Sequence, residues 1–238
     1  MSGISTIWVY LNTSPLLWLA VTIAAFLAAH FVGRKLGGSP LANSVLIAGA
    51  IIIALLLVSG TPYATYFEGA QFVHFLLGPA TVALAVPLFK NLDKVRPVLL
   101  PMAGALLAGS LTAIGSAVAI VAAFGAPADI IASIAPKSTS APIAMELARS
   151  LGGVPSLAAV LVILTGITGA VIVTPLMNFL RIKDYAARGF AVGVASHGIG
   201  TARAFQVNDV AGAFAGIAMA LNGALTSFLI LIWSLVFA

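Results

Sequence analysis

The chain reads as a succession of long apolar runs separated by short polar punctuation. Residues 15–33 form the first run, closed by Arg34-Lys35 and the turn Gly37-Gly38-Ser39-Pro40; the segment Ile4–Leu11 before it is too short to span alone. Residues 41–58 form the second and end at Ser59-Gly60-Thr61-Pro62. Tyr63–Leu77 reads as half a helix, broken at Gly78-Pro79, resumed through Phe89 and followed by the polar loop Lys90–Arg96. Pro97–Phe124 is a long span carrying Gly104, Gly109 and Gly115, as close helix packing in lipid prefers. Residues 127–151 are two apolar arms around a polar centre, closed by Gly152-Gly153. Residues 154–180 span again. Tyr185–Ala195 then starts a helix that breaks at Ser196-His197-Gly198-Ile199-Gly200 and resumes from Thr201, and residues 209–237 make the last span. The pattern predicts an all-α integral membrane protein. It has about seven transmembrane helices plus a re-entrant or broken helix, in one transmembrane domain over residues 1–238.

Composition agrees. Of 238 residues, 61% are hydrophobic and only 7% charged, where a water-soluble domain carries about a quarter charged residues. Nearly every residue is needed for spans, so no separate soluble domain fits. The net charge of +5 therefore reports topology rather than nucleic-acid binding; the expected surroundings are lipid. Cysteine is absent, which excludes disulfides, thiolate metal sites and thiol nucleophiles. The N-terminus lacks the basic n-region of a signal peptide and any Arg- and Ser-rich transit segment, so a multi-pass position in a bacterial inner membrane is expected.

Two halves, about 40–124 and 154–238, resemble each other. Gly78-x-x-Thr81 recurs as Gly198-x-x-Thr201, an offset of 120 residues, each in an interrupted span between uninterrupted ones. Paired interrupted segments at equivalent places in two halves point to a transporter site. Charge orients the chain. Eight of the eleven Lys and Arg fall in three loops: Arg34 and Lys35; Lys90, Lys94 and Arg96; Arg181, Lys183 and Arg188. All three loops face inside only if residues 127–151 re-enter and leave on one side. That gives seven crossings with the C-terminus inside, and makes the long–broken–long repeats inverted.

Chemistry concentrates at two places. Ala135–Pro142, Ala-Pro-Lys-Ser-Thr-Ser-Ala-Pro, sets a lysine, three hydroxyls and the helix breakers Pro136 and Pro142 inside an oily chain. Each flanking arm of roughly 8–10 residues reaches about half-way through a hydrocarbon core of about 30 Å. Irregular polar backbone survives there only where it lines a protected cavity. Lys137 is either a structural cation for carbonyls freed by the break or an anion ligand. Ser138, Thr139 and Ser140 start the next half-helix, whose free amides and positive dipole end suit a carboxylate with neighbouring hydroxyls. The second place is Ser196, His197, Gly198, Gly200, Thr201 and Arg203. Thr201 can cap the short half-helix, the glycines let backbone approach a ligand, and Arg203 could hold a carboxylate with its planar fork. Both places are expected to meet near the midplane and share one anion. A packing histidine and a snorkelling arginine are the plainer alternatives for His197 and Arg203. Glu146 and Arg149, spaced i, i+3, read first as a surface ion pair, with proton coupling at Glu146 as the alternative.

A secondary transporter accounts for the paired breaks and cationic midplane groups. A holin-like pore would not need several interrupted segments. An intramembrane enzyme would need a nucleophile–base set or metal ligands, and the sequence offers no HExxH, cysteine or deep aspartate pair, so neither catalysis, metal nor cofactor is expected.

Three segments carry a family resemblance: Phe75–Leu88 (FLLGPATVALAVPL), Ala135–Met145 (APKSTSAPIAM) and Gly193–Ala204 (GVASHGIGTARA). They resemble the hallmark segments of the LrgB (CidB-like) membrane family, over essentially the whole chain. Members were named as holin- or antiholin-like proteins that modulate murein hydrolase activity and lysis. They are similar to the carboxyl-terminal part of the plastid glycolate/glycerate translocator, and bacterial relatives are linked to pyruvate and similar small carboxylates. The resemblance implies transport of such monocarboxylates, an oligomeric assembly, and a separate small four-span LrgA/CidA-type membrane partner.

Overall fold

The computed structural model describes residues 14–36, 44–76, 79, 82, 89 and 92–237. Among them every regular element is helical. Four helices among the described residues are long and apolar enough to cross a membrane: Pro15–Lys35, Arg96–Ala123, Pro155–Phe179 and Asp209–Ser234. The molecule is inside-out relative to a water-soluble protein. Leu100, Phe124, Phe179 and Trp233 stand on the outside, while the buried set is rich in alanine and includes Ser110, Ser133, Thr139, Ser196, Asn222 and Thr226. In lipid no solvent drives large apolar groups inward, so small residues that let backbones approach occupy the interfaces. The chain is a multi-pass, all-α membrane protein.

It divides into two compact units, Met1–Ala83 and Leu84–Ala238. In the first, α1 (Pro15–Lys35) packs against α2 (Ser44–Ser59) and α3 (Tyr63–Phe75). Gly69 of α3 lies against the Pro15 carbonyl and the Trp18 side chain, and buried Trp18 meets Tyr66 edge-on at 5.8 Å.

The second unit holds α4 (Leu92–Val95), a 3-10 turn (Arg96–Val98), α5 (Leu99–Ala123), α6 (Ala128–Ile134), α7 (Ala141–Ser150), α8 (Pro155–Phe179), α9 (Tyr185–Val207) and α10 (Asp209–Phe237). Its organisation is long helix, hairpin, long helix, hairpin, long helix. In the first hairpin, α6 descends to the Ala135–Ser140 turn and α7 returns along α8, with Ala144 and Ala148 in one cluster with Val162 and Ala158. The chain comes back beside α6: the Val154 amide donates to Ser133 Oγ at 2.8 Å, and Gly153 touches Ala132 so closely that no side chain fits. Residues 127–151 therefore enter and leave at the same end of α8.

The second hairpin departs from the expectation of one interrupted crossing. At Ser196 and His197 the backbone leaves helical geometry, and the arm 198–207 folds back along the arm 185–195. Val192 and Ala204 share a cluster, and Tyr185, Arg188, Arg203 and Val207 line one small groove. A straight helix would hold Val192 and Ala204 about 18 Å apart at about 1.5 Å per residue. The doubling-back brings Asn208 and Asp184 to the lining of one cavity, and α10 then runs parallel to the first arm, with Gly189 on the Ala211 carbonyl and Gly193 on that of Ala215. The end of α9 thus lies on the face where α9 began, so this segment adds no crossing. Of the first expected interruption, Pro79 is helical, and Gly78 and Thr81 lie outside the described residues.

Candidate functional site

The two hairpins approach α8 from opposite ends and turn near its middle. The first turns where proline forbids helix. Pro136 has no amide to donate, and the chain makes two successive turns, Lys137 N to the Ile134 carbonyl and Thr139 N to that of Pro136, both at 3.0 Å. The Thr139 hydroxyl adds a bond to the same Pro136 carbonyl at 2.8 Å. Ser140 is the extended residue before α7, its carbonyl taking the Ala144 amide at 2.8 Å, and Pro142 falls in the first turn, where its missing donor goes unnoticed. Pro136, Ser138 and Thr139 are buried. Lys137 is half-buried, donates to Ser138 Oγ at 3.4 Å, and has no carboxylate at ion-pair distance among the described residues.

The second hairpin turns on His197, whose φ of 41° is one that a side chain other than glycine seldom adopts. The surroundings hold it there. The ring, 4% exposed, donates Nε2–H to the Val162 carbonyl at 2.8 Å, since a carbonyl can only accept. Ser196 sits against Gly169, where a Cβ would overlap its hydroxyl. The break covers Ser196 and His197, narrower than the five residues expected. Gly200 belongs to the return arm and touches Val192 of the outgoing arm; its lack of a side chain serves that contact. At Gly198 there is more room, the nearest group being Met219 Sδ. Thr201 does not cap: its hydroxyl donates back to the His197 carbonyl at 2.8 Å. Both tips reach one stretch of α10: Asn222 meets the Ser138 carbonyl, and Met219, about one turn before it, is the group nearest Gly198.

Arg203 is not part of that meeting. It faces the groove near the base of the second hairpin with Thr174, Met177, Arg188 and Gly189, and its Nη1 donates to Gln206 Oε1 at 3.2 Å. Arg188 is structural, its guanidinium tying the Ile182 carbonyl and Asn178 into the turn after α8. Glu146 meets Arg149 at 2.7 Å with both side chains more than half exposed, the surface pair that the i, i+3 spacing implied.

Two residues at the site escaped sequence reasoning. Asn222, wholly buried in the middle of α10, donates Nδ2–H to the Ser138 carbonyl at 2.9 Å. Ser110, buried in the middle of α5, donates to Asn222 Oδ1 at 2.6 Å. A search for polar residues at mid-span would have flagged Asn222; only the fold shows what it holds. Beside the second hairpin lies a cavity of about 930 Å³ between α5, the first arm of α9 and α10. It runs from Asp184 and Asn208 to Ala195, next to the Ser196 tip, and its walls are apolar (Met102, Phe190, Val194 and Phe214 among them).

No solved structure matches the chain. Among curated proteins it is 34% identical over 88% of its length to "Uncharacterized protein YxaC" of Bacillus subtilis (strain 168), covering 91% of that protein. It is 31% identical over 93% of its length to "Holin-like protein CidB" of Staphylococcus aureus (strain Mu50), covering 96% of it. The protein of the same name from Staphylococcus epidermidis (strain ATCC 12228) is 32% identical over 87% of this chain and 92% of its own. Residues 22–235 match the LrgB-like family, and with this coverage the chain belongs to it.

Proposed function

We propose that the chain is a secondary transporter of small monocarboxylates of the glycolate, glycerate or pyruvate kind, working in a bacterial inner membrane with an LrgA-type partner. One observation carries this reading: two re-entrant tips reach one stretch of α10, and the first of them holds a lysine that has no acidic partner among the described residues. An ammonium at that depth is costly unless an anion neutralises it. Lys137 supplies charge, and the hydroxyls of Ser138 and Ser140, not spent inside the turn as that of Thr139 is, supply hydrogen-bond donors, a set that fits one carboxylate bearing a small polar substituent. Hairpins entering from opposite ends of α8 leave a thin barrier on either side of such a ligand, which alternating access requires. With Arg203 elsewhere, one cation serves the site, and that favours monoanions over dicarboxylates.

A holin-like role in controlling wall lysis is the second reading, favoured by the name that the staphylococcal relatives carry. Vesicles containing the chain, with and without an LrgA-type protein, separate the two. Saturable uptake of labelled glycolate, glycerate, pyruvate or lactate supports transport; leakage of a trapped dye with no saturable uptake would replace it with the pore.

A further inference from the structure

The polar chain Ser110–Asn222–Ser138 joins the middles of α5 and α10 to the first hairpin tip, and nothing in the turn's own hydrogen bonding requires it. Asn222 has no exposed surface, and a lone amide in apolar surroundings costs more than a leucine would unless both its ends are bonded. Both ends are. Ser110 donates to Oδ1, which leaves Nδ2 to donate to the Ser138 carbonyl. The reversed amide would set Oδ1 against that carbonyl, two acceptors facing each other, so the network admits one orientation. The carbonyl it holds belongs to the residue after Lys137, and Lys137 Nζ rests on the hydroxyl of the same Ser138. Holding the Ser138 carbonyl therefore restrains the residue on which the lysine's ammonium rests. Elsewhere the tips are fastened differently, the second one hanging from α8 through His197 and Val162.

We propose that Asn222, backed by Ser110, is the positioning residue that keeps the Lys137 tip in its anion-binding pose. This rests on the transport reading for its consequence and on the hydrogen-bond network for its cause, so the two can fail separately. Without Asn222 the tip loses its tether to α10, the ammonium wanders from the pose that meets a carboxylate, and affinity falls while the protein still inserts. Ser110→Ala leaves the Ser138 bond in place and does less.

Two measurements test it. In vesicles supplied with labelled pyruvate, Asn222→Ala should raise the half-saturation concentration by about tenfold, as loss of a well-placed charged hydrogen bond would, with the maximal rate per folded molecule little changed. Ser110→Ala should raise it only a few-fold. A purely structural Asn222 would instead lower the maximal rate in proportion to folded protein and leave half-saturation where it was, overturning the proposal. The second measurement needs no transport. The chain has no cysteine, so Lys137→Cys supplies a single thiol at the tip. Adding Asn222→Ala should change its rate of modification by a small thiol reagent at least about fivefold, the factor that a hydrogen bond of about 1 kcal/mol controls. An unchanged rate overturns the positioning role even if uptake is normal. A changed rate, where the parent chain with Lys137 intact takes up nothing, upholds it and removes the transport reading instead.

Discussion

His197 and Val162 are joined at 2.8 Å, ring Nε2–H to backbone carbonyl, where the second hairpin meets the middle of α8. The bond is buried and the backbone at His197 sits at φ 41°. His197→Ala should destabilise the detergent-solubilised protein by about 1–3 kcal/mol, read by thermal unfolding. His197→Gly loses the same bond but relieves the positive φ, so it should fall less far. Equal stability of all three proteins would show that the ring does not hold the turn.

Gly169 and Gly104 look alike in sequence and should behave oppositely. A Cβ on Gly169 would overlap Ser196 and push α8 off the second hairpin, whereas nothing lies within 4 Å of one on Gly104. Gly169→Ala is expected to cost about 1–3 kcal/mol, the range for overpacking a tight contact. Gly104→Ala should be neutral or stabilising by up to about 1 kcal/mol through helix propensity. Thermal unfolding of the two variants, ranked against the parent, decides it.

The fold-back of α9 sets a labelling pattern. Arg96→Cys, Lys183→Cys and Asn208→Cys should react with an impermeant thiol reagent from one side, because Val98, Asp184 and Asn208 surround the mouth of one cavity. Ala126→Cys and Ser150→Cys, at the opposite end of α8, should react from the other side. If 185–207 crossed the membrane, Lys183 and Asn208 would label from opposite sides. By the distribution of basic loops, the Lys183 side is the cytoplasm.

Lys137 and Arg203 should part company in uptake assays. Lys137→Gln removes the cation at the tips and should weaken carboxylate binding by about 1–3 kcal/mol, a rise of roughly 5–150-fold in half-saturation. Arg203→Gln acts at the base of the second hairpin and should leave half-saturation within about twofold of the parent. Equal losses in both would restore a site shared by the two cations.

The one-dimensional pattern determined the class of protein and the neighbourhood of two of its breaks. Runs of apolar residues long enough for a bilayer, and Pro136 and Ser196-His197 interrupting them, are local features, and local features dictate helix and its failure. The Glu146–Arg149 pair was legible for the same reason, since i, i+3 neighbours meet on any helix. Whether a broken helix carries on or turns back is not local. At Ser196 and His197 two residues reverse the chain because Gly169, Val162 and Ala215 receive the second hairpin, and those partners lie far off in sequence. That reversal drew Arg203 away from the tips and took one crossing out of the expected seven. It also follows that Asn222, a lone polar residue in the last span, could be given a role only once α10 had been packed against Ser138 and Ser110. Hydrogen bonds between mid-span residues depend on which helices are neighbours, and in lipid that is settled by small-residue packing among Gly and Ala, residues too common here to announce their partners.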